Sequence, residues 1–526
     1  MSPSNTQPVI IVGASLVGLS AALCLASYQV PAIVLEKHAG ISAHPRAIGF
    51  TARTMEIFRS LGIENEHPAP DDFVLKRARV ESLTGEWFGH TKWSDTEKRP
   101  EPETVQEKPL LPKKESSASR ASALAQDKLE PILESLALKR GVDIRRQQRV
   151  LNVDQNHDGV TVTVQDSNGN VHQVYGSYLI AADGNRSTIR GQLHIGRQGR
   201  GFMQNLRSVL FRAPLEKYTK DIVQFDIDQS DLKALLCAYN DGRWALMFRD
   251  DVERDETALH SAIYQAIGDS SVPVEIITTG KWELTALVAD TFQSGRVFLA
   301  GDAAHTLPPN RGGYGANTGI HDVHNLAWKL AAVLSGLSSP DLLSTYDAER
   351  RPIALLRHDQ IFVRADYKVH LDVATPAGEK IDDDAMEFGQ LYLSDGFVGS
   401  DYSLPRAMKP DEWAGQPGTH LPHFYVSKDG AELPLLDIVG QKSWTLISAT
   451  DEWETALLEV NKSSCITINS VRVDSELQNF QQAFGVYKTG ASLIRPDGYI
   501  AWRMAEIPPN ASECLRAVLA KVSFEI

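Results

Sequence analysis

The chain has 526 residues, and single hydrophobic cores stop growing at about 250–300 residues, so we expect two or more domains. Hydrophobic residues make up 42% of the chain and charged residues 23%, which is ordinary for a folded protein with large cores. The formal net charge is −14. Because an acidic surface repels nucleic acids and anionic lipids, neither is an expected partner.

The four cysteines stand far apart, and the absence of a CxxC pair from the sequence excludes a zinc ribbon and a thioredoxin-type redox pair. The polar N-terminus has no signal-peptide character, and no apolar run reaches the roughly 18 residues of a membrane helix. We therefore expect a cytoplasmic protein without a membrane segment, either monomeric or homodimeric.

A βαβ unit opens the chain. The apolar run Val9–Val12 predicts a buried parallel strand, Leu16–Ala26 predicts a helix, and Ala32–Leu35 predicts a second buried strand. A unit of this kind, about thirty residues long, is typical of the start of an α/β fold with a parallel sheet.

The turn between the first strand and the helix has the pattern of a dinucleotide-binding site. Gly13 and Gly18 satisfy the first and last positions of GxGxxG, which need glycine for a tight turn and for close helix–strand packing. Ser15 replaces the middle glycine. The helix N-terminus offers N–H groups and a positive dipole end to a phosphate. Glu36, at the end of the second strand, can accept hydrogen bonds from ribose hydroxyls and would repel a 2′-phosphate, which favours FAD or NAD over NADP at this site.

The later elements are read from periodicity and turn signals. Pro and Gly become frequent after about residue 400, which indicates a linker into a separate C-terminal domain. The predicted elements are a helix over Thr51–Leu61, an exposed insertion over about 90–119, a helix over Ala123–Lys139, short strands over about 143–180 and 205–285 with a hairpin of Leu235–Tyr239 and Arg243–Phe248, a strand over Val297–Ala300, and helices over about Thr318–Leu334 and Leu342–Tyr367.

Two further motifs follow predicted strands. The segment ADGNRSTIR, residues 182–190, reads as a turn into a capped helix. The segment 301–317 contains GDAAH, the pair Pro308-Pro309 and a glycine-rich stretch before a helix that we expect to begin at about Thr318. Glycines before a helix N-terminus build a surface that suits anions, and the proline pair stiffens one wall.

The Gly13–Gly18 turn with Glu36, the ADGNRSTIR segment and the segment GDAAHTLPPNRGGYGANTGIHDVHNLAWKL together resemble the class A flavoprotein monooxygenases, the family of p-hydroxybenzoate hydroxylase, phenol hydroxylase and the aromatic polyketide hydroxylases. The resemblance spans most of residues 7–370. The segment GASLIRPDGYIAWR, residues 490–503, is similar to the thioredoxin-like C-terminal domain of the phenol hydroxylase and polyketide hydroxylase branch, which lacks the redox cysteines.

The resemblance implies a mixed α/β fold in three parts. A Rossmann-like FAD-binding domain would comprise residues 1–200 and 286–400, with the exposed insertion at about 90–119. A β-sheet substrate-binding domain would be inserted over residues 201–285, and a thioredoxin-like domain would comprise residues 401–526.

The resemblance also implies a set of cofactor contacts. Glu36 would hold the adenosine ribose, Asp302 would bind near the ribityl chain and pyrophosphate, and backbone N–H groups of Gly315 to Asn317 would face the pyrimidine ring of the flavin. A helix N-terminus at that ring would stabilise the negative charge of reduced flavin. The residues expected to bind FAD are Gly13, Ser15, Gly18, Glu36, Arg46 (phosphates or flavin edge), Gln126 (ribityl region), Asp183 (also linked indirectly to NAD(P)H), Asp302, Gly315 and Asn317.

The implied reaction uses FAD, with NADPH or NADH as co-substrate and dioxygen as oxidant, to hydroxylate a phenolic or polyketide-type aromatic molecule through a flavin C4a-hydroperoxide. Pro309 would lie close to the ring where oxygen is activated. The sequence leaves three alternatives open, which are Baeyer–Villiger oxygenation of a ketone or quinone, a flavin dehydrogenase or oxidase, and a non-catalytic FAD-binding module.

The base that would deprotonate the substrate is not identified by the sequence, and no metal site is expected. The strands at about 205–285 should form the roof over the substrate, with Trp244, Met247 and Phe248 as bulky residues that serve either ligand contact or sheet packing. Histidines that are candidates for the base by position alone are His44, His305, His321 and His324.

Overall fold

The computed structural model describes residues 7–42, 47–64, 76–92, 115–122, 124–219, 223–239, 241–308, 313–363, 378–428, 430–439, 442–474 and 477–526. The helices are α1 (Leu16–Ser27), α2 (Ala52–Ser60), α3 (Gln126–Lys139), α4 (Thr188–Gln192), α5 (Glu216–Thr219), α6 (Glu256–Ile267), α7 (Tyr314–Leu334), α8 (Thr345–Val363), α9 (Asp383–Glu387), α10 (Leu435–Val439), α11 (Glu452–Ser463), α12 (Leu477–Phe484) and α13 (Ala511–Ser523), with 3₁₀ turns at Gly301–Ala303, Pro340–Ser344 and Pro410–Glu412. The strands are β1 (Val9–Val12), β2 (Ala32–Glu36), β3 (Lys76–Val80), β4 (Trp87–Lys92), β5 (Asp143–Arg146), β6 (Arg149–Gln155), β7 (Val160–Gln165), β8 (Val171–Gly176), β9 (Tyr178–Ala181), β10 (Arg197–Arg212), β11 (Gln224–Asp228), β12 (Lys233–Ala238), β13 (Arg243–Phe248), β14 (Glu275–Ala289), β15 (Gln293–Ser294), β16 (Val297–Leu299), β17 (His305–Thr306), β18 (Tyr425–Lys428), β19 (Ala431–Pro434), β20 (Trp444–Ser448), β21 (Ile468–Arg472), β22 (Ala491–Ile494) and β23 (Ile500–Met504).

A six-stranded sheet in the order β15-β16-β9-β1-β2-β5 forms the first layer. All its pairs are parallel except β15 with β16. The central strand β1 is buried over its whole length, because Ile11 lies against α1 and Ile10 lies against Gly176 at the end of β8, in the three-stranded sheet β6-β7-β8. Helix α1 packs against both α3 and α7. The predicted βαβ unit is therefore confirmed as the centre of the first sheet.

An eight-stranded sheet in the order β17-β14-β10-β13-β12-β11-β3-β4 forms a second layer. Strands β10 and β14 run 16 and 15 residues and pair along nearly their whole length. Strand β17 follows the first sheet's strand β16 after a 3₁₀ turn and pairs with β14, so the two sheets are joined at that point. One face of this sheet packs against α6 through a continuous apolar core.

The C-terminal part contains a four-stranded mixed sheet in the order β21-β20-β22-β23. Strands β20 and β21 are parallel, whereas β22 and β23 add in antiparallel fashion. Two separate apolar cores cover its faces, one involving α11 and α13 and the other α10 and α12. Trp328 and Leu342 belong to the first of these cores, which anchors the sheet on α7 and the turn before α8. This arrangement agrees with the expected thioredoxin-like domain.

The first turn of α7 departs from the sequence prediction, because the helix begins at Tyr314 and not at Thr318. The position that needs glycine is Gly313, whose backbone is left-handed with φ +57°. Gly315 and Asn317 therefore lie inside the helix and not in a loop before it. The segment predicted to be an exposed insertion lies mostly outside the described residues. Among the described helices, none is both long and apolar enough to cross a bilayer.

Candidate active site

The predicted cofactor residues of the first sheet meet at one edge. Strands β16, β9, β1 and β2 are parallel neighbours, so their carboxyl ends lie side by side. Gly13 follows β1, Glu36 ends β2, Asp183 follows β9 and Asp302 follows β16. Ligands of doubly wound sheets bind at this edge, outside the carboxyl ends of the strands.

Steric contacts explain both glycines of the turn after β1. Gly13 has φ +106°, and a Cβ built there would lie 2.3 Å from the carbonyl oxygen of Ala182 at the end of β9. A Cβ on Gly18 would lie 1.8 Å from the carbonyl oxygen of Gly13. Ser15 has an extended backbone with φ −96°, which any residue can adopt, and it is the N-cap of α1. The backbone conformation at the middle position of the fingerprint therefore does not require glycine.

Glu130 is a residue of this site that the sequence analysis missed. Its Oε1 accepts hydrogen bonds from the Ser15 hydroxyl at 2.6 Å, the Leu16 N–H at 3.2 Å and the Gln126 side-chain amide at 2.7 Å. Burial raises the pKa of Glu130, and the hydrogen bonds from these donors offset only part of that rise. A signal was present, because Glu130 lies next to Leu129 within the apolar stripe of α3, and a buried acid there demands a partner.

Gln126 ties three segments together at the first position of α3. Its amide nitrogen also donates to the Ser15 hydroxyl at 3.0 Å, and its amide oxygen accepts the N–H of Ala47 at 3.3 Å. Glu36 is held by two backbone N–H groups, since its carboxylate accepts from Ala14 and His38 at 2.8 Å each. The acid at the end of β2 is thereby oriented toward the turn after β1.

Asp183 is partly satisfied by its own loop. Its Oδ2 accepts the N–H groups of Thr188 and Ile189 at the start of α4, at 2.9 and 3.3 Å. Its Oδ1 is buried and has no hydrogen-bond partner among the described residues. The next residue, Gly184, has φ +86° and open space beside it. This loop is fixed to the turn after β16, because Arg190 donates to the carbonyl oxygen of Ala303 at 2.8 Å.

Asn317 anchors the first turn of α7 through its side chain. Its Oδ1 accepts from the Thr54 hydroxyl at 2.6 Å and from the Thr51 N–H at 3.0 Å. Its Nδ2 donates to the carbonyl oxygens of Gly313 and Gly49 at 2.7 and 3.2 Å. The side chain is therefore fully used within the protein. Asn317 is the fourth residue of the helix, where N–H groups begin to find acceptors inside the helix, so the physical argument favours Gly315 over Asn317 as a backbone donor to a ligand.

Two predicted site residues, Arg46 and Pro309, lie outside the described residues, as does His44. The other candidate histidines lie inside the protein. His305 is fully buried, and its Nε2 contacts Asp322 at 2.8 Å. His321 Nε2 contacts the Thr54 hydroxyl at 3.1 Å, and burial holds the pKa of His321 well below its usual range. These bonds make His305 and His321 parts of the packing beneath α7.

The middle of the face of the eight-stranded sheet opposite α6 forms an uncharged wall. Strand alternation puts Trp244 and Phe248 in the core against α6 and Met247 on the opposite face. Only Met247, of the three bulky residues predicted for the roof, therefore lies on the wall. By the observed register, the wall is formed by Leu206, Ser208, Leu210, Leu235, Cys237, Ala245 and Met247.

An apolar cluster joins this sheet to α7 and α8 beside the segment that precedes α7. Leu284 and Ala286 of β14 pack with Tyr314 of α7 and with Ile361 and Phe362 of α8. Leu307, just before the undescribed residues 309–312, packs against the same cluster. The first turn of α7 is thus flanked by apolar side chains.

These features fit an adenine dinucleotide with a flavin. The helix α1 N-terminus and the left-handed Gly13 turn suit a pyrophosphate, and Glu36 suits a ribose. Asp183 offers a buried carboxylate oxygen that has no partner among the described residues, and the space beside Gly184 is open. The fold and site together define an FAD-binding protein of the mixed α/β class.

Comparisons with known proteins identify the family. Residues 6–359 match the FAD binding domain family, and residues 414–523 match the family described as the C-terminal part of aromatic-ring hydroxylases. The chain is 34% identical to 4-methyl-5-nitrocatechol 5-monooxygenase of Burkholderia sp over 99% of this chain and 98% of that protein. It is also 34% identical to tetracenomycin A2 monooxygenase-dioxygenase of Streptomyces glaucescens, over 98% of this chain and 96% of that protein.

A crystal structure of aklavinone-11 hydroxylase in a ternary complex with FAD and aklavinone matches with a TM-score of 0.87 at 30% identity, covering 99% of this chain and all of that one. The chain belongs to the family of FAD-dependent aromatic-ring hydroxylases. It is an FAD-dependent monooxygenase, which confirms the resemblance found in the sequence and favours hydroxylation over the three alternatives.

Proposed function

We propose that this enzyme hydroxylates a neutral, polycyclic phenol of the polyketide type, with NAD(P)H and dioxygen as co-substrates. The observation that carries the substrate class is the uncharged wall opposite α6. Relatives that act on tetracenomycin and aklavinone support the same class.

The charged side chains at the two ends of the wall are paired within the protein. At one end, Arg77 forms two hydrogen bonds with Asp226 at 2.6 and 2.5 Å, and Arg249 donates to the same carboxylate at 3.2 Å. At the other end, Arg243 contacts Asp127 at 2.7 Å. Burial raises the pKa of Cys237, which lies between them, to about 12, so this thiol stays protonated. A substrate carboxylate would have to compete with Asp226 or Asp127 for an arginine, whereas a neutral aromatic ring needs only apolar contact.

We assign the cofactor contacts as follows. The α1 N-terminus with Ser15 would hold the FAD pyrophosphate, Glu36 the adenosine ribose, and Asp302 the ribityl side. Glu130 and Gln126 would keep the phosphate turn in place, and Arg46 would contact the phosphates or flavin edge. When bound, FAD would accept a hydride from NAD(P)H and activate dioxygen, which is chemistry that the protein side chains do not supply.

The protein would orient the substrate and exclude water. The first turn of α7, with Gly315, would present N–H groups to the flavin pyrimidine ring, and Pro309 would lie near the ring. The wall and the cluster of Leu284 and Phe362 would enclose the aromatic rings in a dry space.

The test is a labelling experiment with purified holoenzyme. NAD(P)H oxidation is followed with three substrate groups, which are neutral polycyclic phenols, simple phenols and hydroxybenzoates, under ¹⁸O₂. We expect a neutral polycyclic phenol to stimulate oxidation and to gain one labelled oxygen on a ring carbon. Stimulation by hydroxybenzoates alone would refute the substrate class. Unlabelled products with only hydrogen peroxide formed would refute the hydroxylase, and a label between ring and carbonyl would mean Baeyer–Villiger chemistry.

A matched pair of variants tests the wall. Met247→Phe adds bulk on the wall, so we expect the KM for a polycyclic substrate to rise roughly tenfold, the range of one misplaced group in a pocket. Leu246→Met conserves volume on the opposite face, against α6, and should leave KM unchanged. Equal effects of the two variants would show that the substrate does not bind against this face.

A further inference from the structure

The turn between β22 and β23 in the C-terminal domain contacts three helices of the FAD-binding part. Arg495 donates two hydrogen bonds to Glu349 of α8, at 2.8 and 2.9 Å. Asp497 Oδ2 accepts from Asn325 of α7 at 3.3 Å, and the Asp497 carbonyl oxygen accepts from Arg53 of α2 at 3.1 Å. Arg495 and Asp497 are each 1% exposed. One turn therefore fixes the relative placement of α2, α7 and α8.

Helix α2 leads from this turn to the first turn of α7. Arg53 is followed directly by Thr54, whose hydroxyl donates to Asn317 Oδ1 at 2.6 Å and contacts His321 at 3.1 Å. The Asn317 side-chain amide in turn donates a hydrogen bond to the carbonyl oxygen of Gly313, the N-cap of α7. The path from the β22–β23 turn to the start of α7 therefore consists of the Arg53 side chain, the peptide unit between Arg53 and Thr54, the Thr54 hydroxyl and the Asn317 side chain.

The path is stiff because its polar groups are buried and paired. Arg53 is 3% exposed, and its other terminal nitrogen donates to Glu56 at 2.8 Å. Glu56 accepts a further hydrogen bond from Ser117 at 2.6 Å. Both terminal nitrogens of Arg53 are thus bonded, and water cannot take the place of the Asp497 carbonyl oxygen without entering the core.

We propose that the β22–β23 turn is a positioning element of the flavin site, and that Arg53 transmits its placement through Thr54 and Asn317 to the first turn of α7. The inference rests on the proposed function, in which N–H groups of that turn face the flavin pyrimidine ring. Because these groups stabilise negative charge on reduced flavin, a shift of the turn must change the affinity for reduced FAD more than the affinity for oxidised FAD.

The test uses holoenzyme and needs no substrate. Arg53→Lys keeps a cation beside Glu56 but has one nitrogen in place of the two that bond Glu56 and the Asp497 carbonyl oxygen. We expect FAD to bind, and the preference for reduced over oxidised FAD to fall about tenfold, which lowers the two-electron midpoint potential by about 30 mV. The potential is measured by anaerobic reductive titration with a reference dye, beside the dissociation constant of oxidised FAD from its fluorescence.

A second variant follows the same path from its other end. Thr54→Val removes the hydroxyl that reaches Asn317 and keeps the shape of the side chain. We expect a similar fall in potential, and no further fall in the double variant Arg53→Lys/Thr54→Val, because both changes break one path. If Arg53→Lys fails to fold, Thr54→Val decides alone.

The control separates positioning from stability. Leu457→Ala leaves a cavity in the core around α11 of the same domain, away from the turn, so it should lower the unfolding temperature and leave the flavin potential unchanged. The inference is overturned if Thr54→Val or folded Arg53→Lys loses stability but keeps the wild-type potential. A wild-type chain that binds no FAD would instead overturn the proposed function.

Discussion

Replacing Glu349 by glutamine should destabilise the protein strongly, because this carboxylate is the centre of a buried ionic cluster. It is 1% exposed and accepts from Arg495, from Lys329 at 2.8 Å, from Asn325 at 2.7 Å and from Ser394 at 2.8 Å. Glu349→Gln removes the charge and turns an amide N–H₂ toward these donors. Two buried cations, Lys329 and Arg495, are then left with the single carboxylate of Asp497.

The magnitude follows from the charge balance. Breaking a buried ion pair by removing one partner costs about 3–5 kcal/mol. Lys329 limits this cost, because burial already lowers its pKa to about 8, so that it can release its proton at pH 7 for about 1.4 kcal/mol. We therefore expect a loss near the lower end, about 3 kcal/mol. For a chain of 526 residues the unfolding entropy is about 1.1 kcal/mol/K, so such a loss lowers the unfolding temperature by about 3 °C.

Calorimetry of the wild type, Glu349→Gln and Asp143→Asn tests this expectation. Asp143 pairs with Arg145 at the surface, with both side chains more than a third exposed, so its loss should cost less than about 1 kcal/mol. The double variant Lys329→Met/Glu349→Gln leaves a balanced Arg495–Asp497 pair and should recover much of the stability.

The pH dependence gives an independent check on Glu349→Gln. In the variant the folded pKa of Lys329 falls further, whereas the unfolded value stays near about 10.4, so the folded chain binds fewer protons between these two values. The free energy of unfolding of the variant must then rise with pH already below pH 8. The difference in this free energy between wild type and variant must narrow between about pH 6 and 8. A loss no larger than that of Asp143→Asn, or a gap independent of pH, would refute the reasoning.

Three further predictions concern the site and acid stability. Gly13→Ala should weaken FAD binding at least about a hundredfold, because strain at φ +106° adds to a 2.3 Å contact with the end of β9. The control Gly169→Ala, at φ +85° in an open turn, should bind FAD normally. Equal FAD dissociation constants of the two variants in a fluorescence titration would show that the turn after β1 does not bind the cofactor. Glu130→Ala should raise the FAD dissociation constant about tenfold by releasing the start of α1, and Glu130→Gln, which keeps an acceptor oxygen, should stay within about threefold in the same titration. Burial raises the pKa values of Asp322 and Asp497, but their cationic partners hold both values below the usual range. The stability that these two groups contribute is therefore present above about pH 4 and is lost as the pH falls toward their folded pKa values. Acid unfolding of Asp322→Asn should show a weaker pH dependence than that of the wild type, and an identical curve would contradict this.

Local patterns predicted the first layer of the fold well. The run Val9–Val12 and the helix after it carry their own burial pattern, and Gly13 and Glu36 lie where the strand ends place them. Short apolar runs predicted the strands before Asp183 and Asp302, and the two motifs come together because these strands pair with each other.

Side-chain pairing across distant segments could not be predicted in the same way. Glu130 contacts Ser15 from 115 residues away, and Arg495 contacts Glu349 from 146 residues away. Neither pair has a spacing that a single sequence can reveal. Burial of such charges depends on which helices meet, and that is fixed only by the complete packing.

The predicted start of α7 is wrong for a local reason. The glycines before Thr318 indicate a loop, yet Gly315 lies in the first turn of α7 and Gly313 is the residue that needs its left-handed backbone. For Trp244 and Phe248 the sequence leaves ligand contact and sheet packing open, and strand alternation places both in the core against α6. The addition of β3 and β4 to the edge of that sheet has no signal in the strands at 205–285.

The order of strands in the first sheet bears on how the protein is made. Strand β1 and its neighbour but one, β16, are separated by nearly three hundred residues of chain, and both must be in place before the edge that carries Gly13 and Asp302 exists. At about 5–20 residues per second, a ribosome needs roughly 15–60 seconds to synthesise that interval. During this time the apolar sides of β1 and α1 have no complete sheet to pack on. We therefore expect nascent chains to depend on chaperones until β16 has emerged from the ribosome. FAD should bind only after that point, when most of the chain has been synthesised.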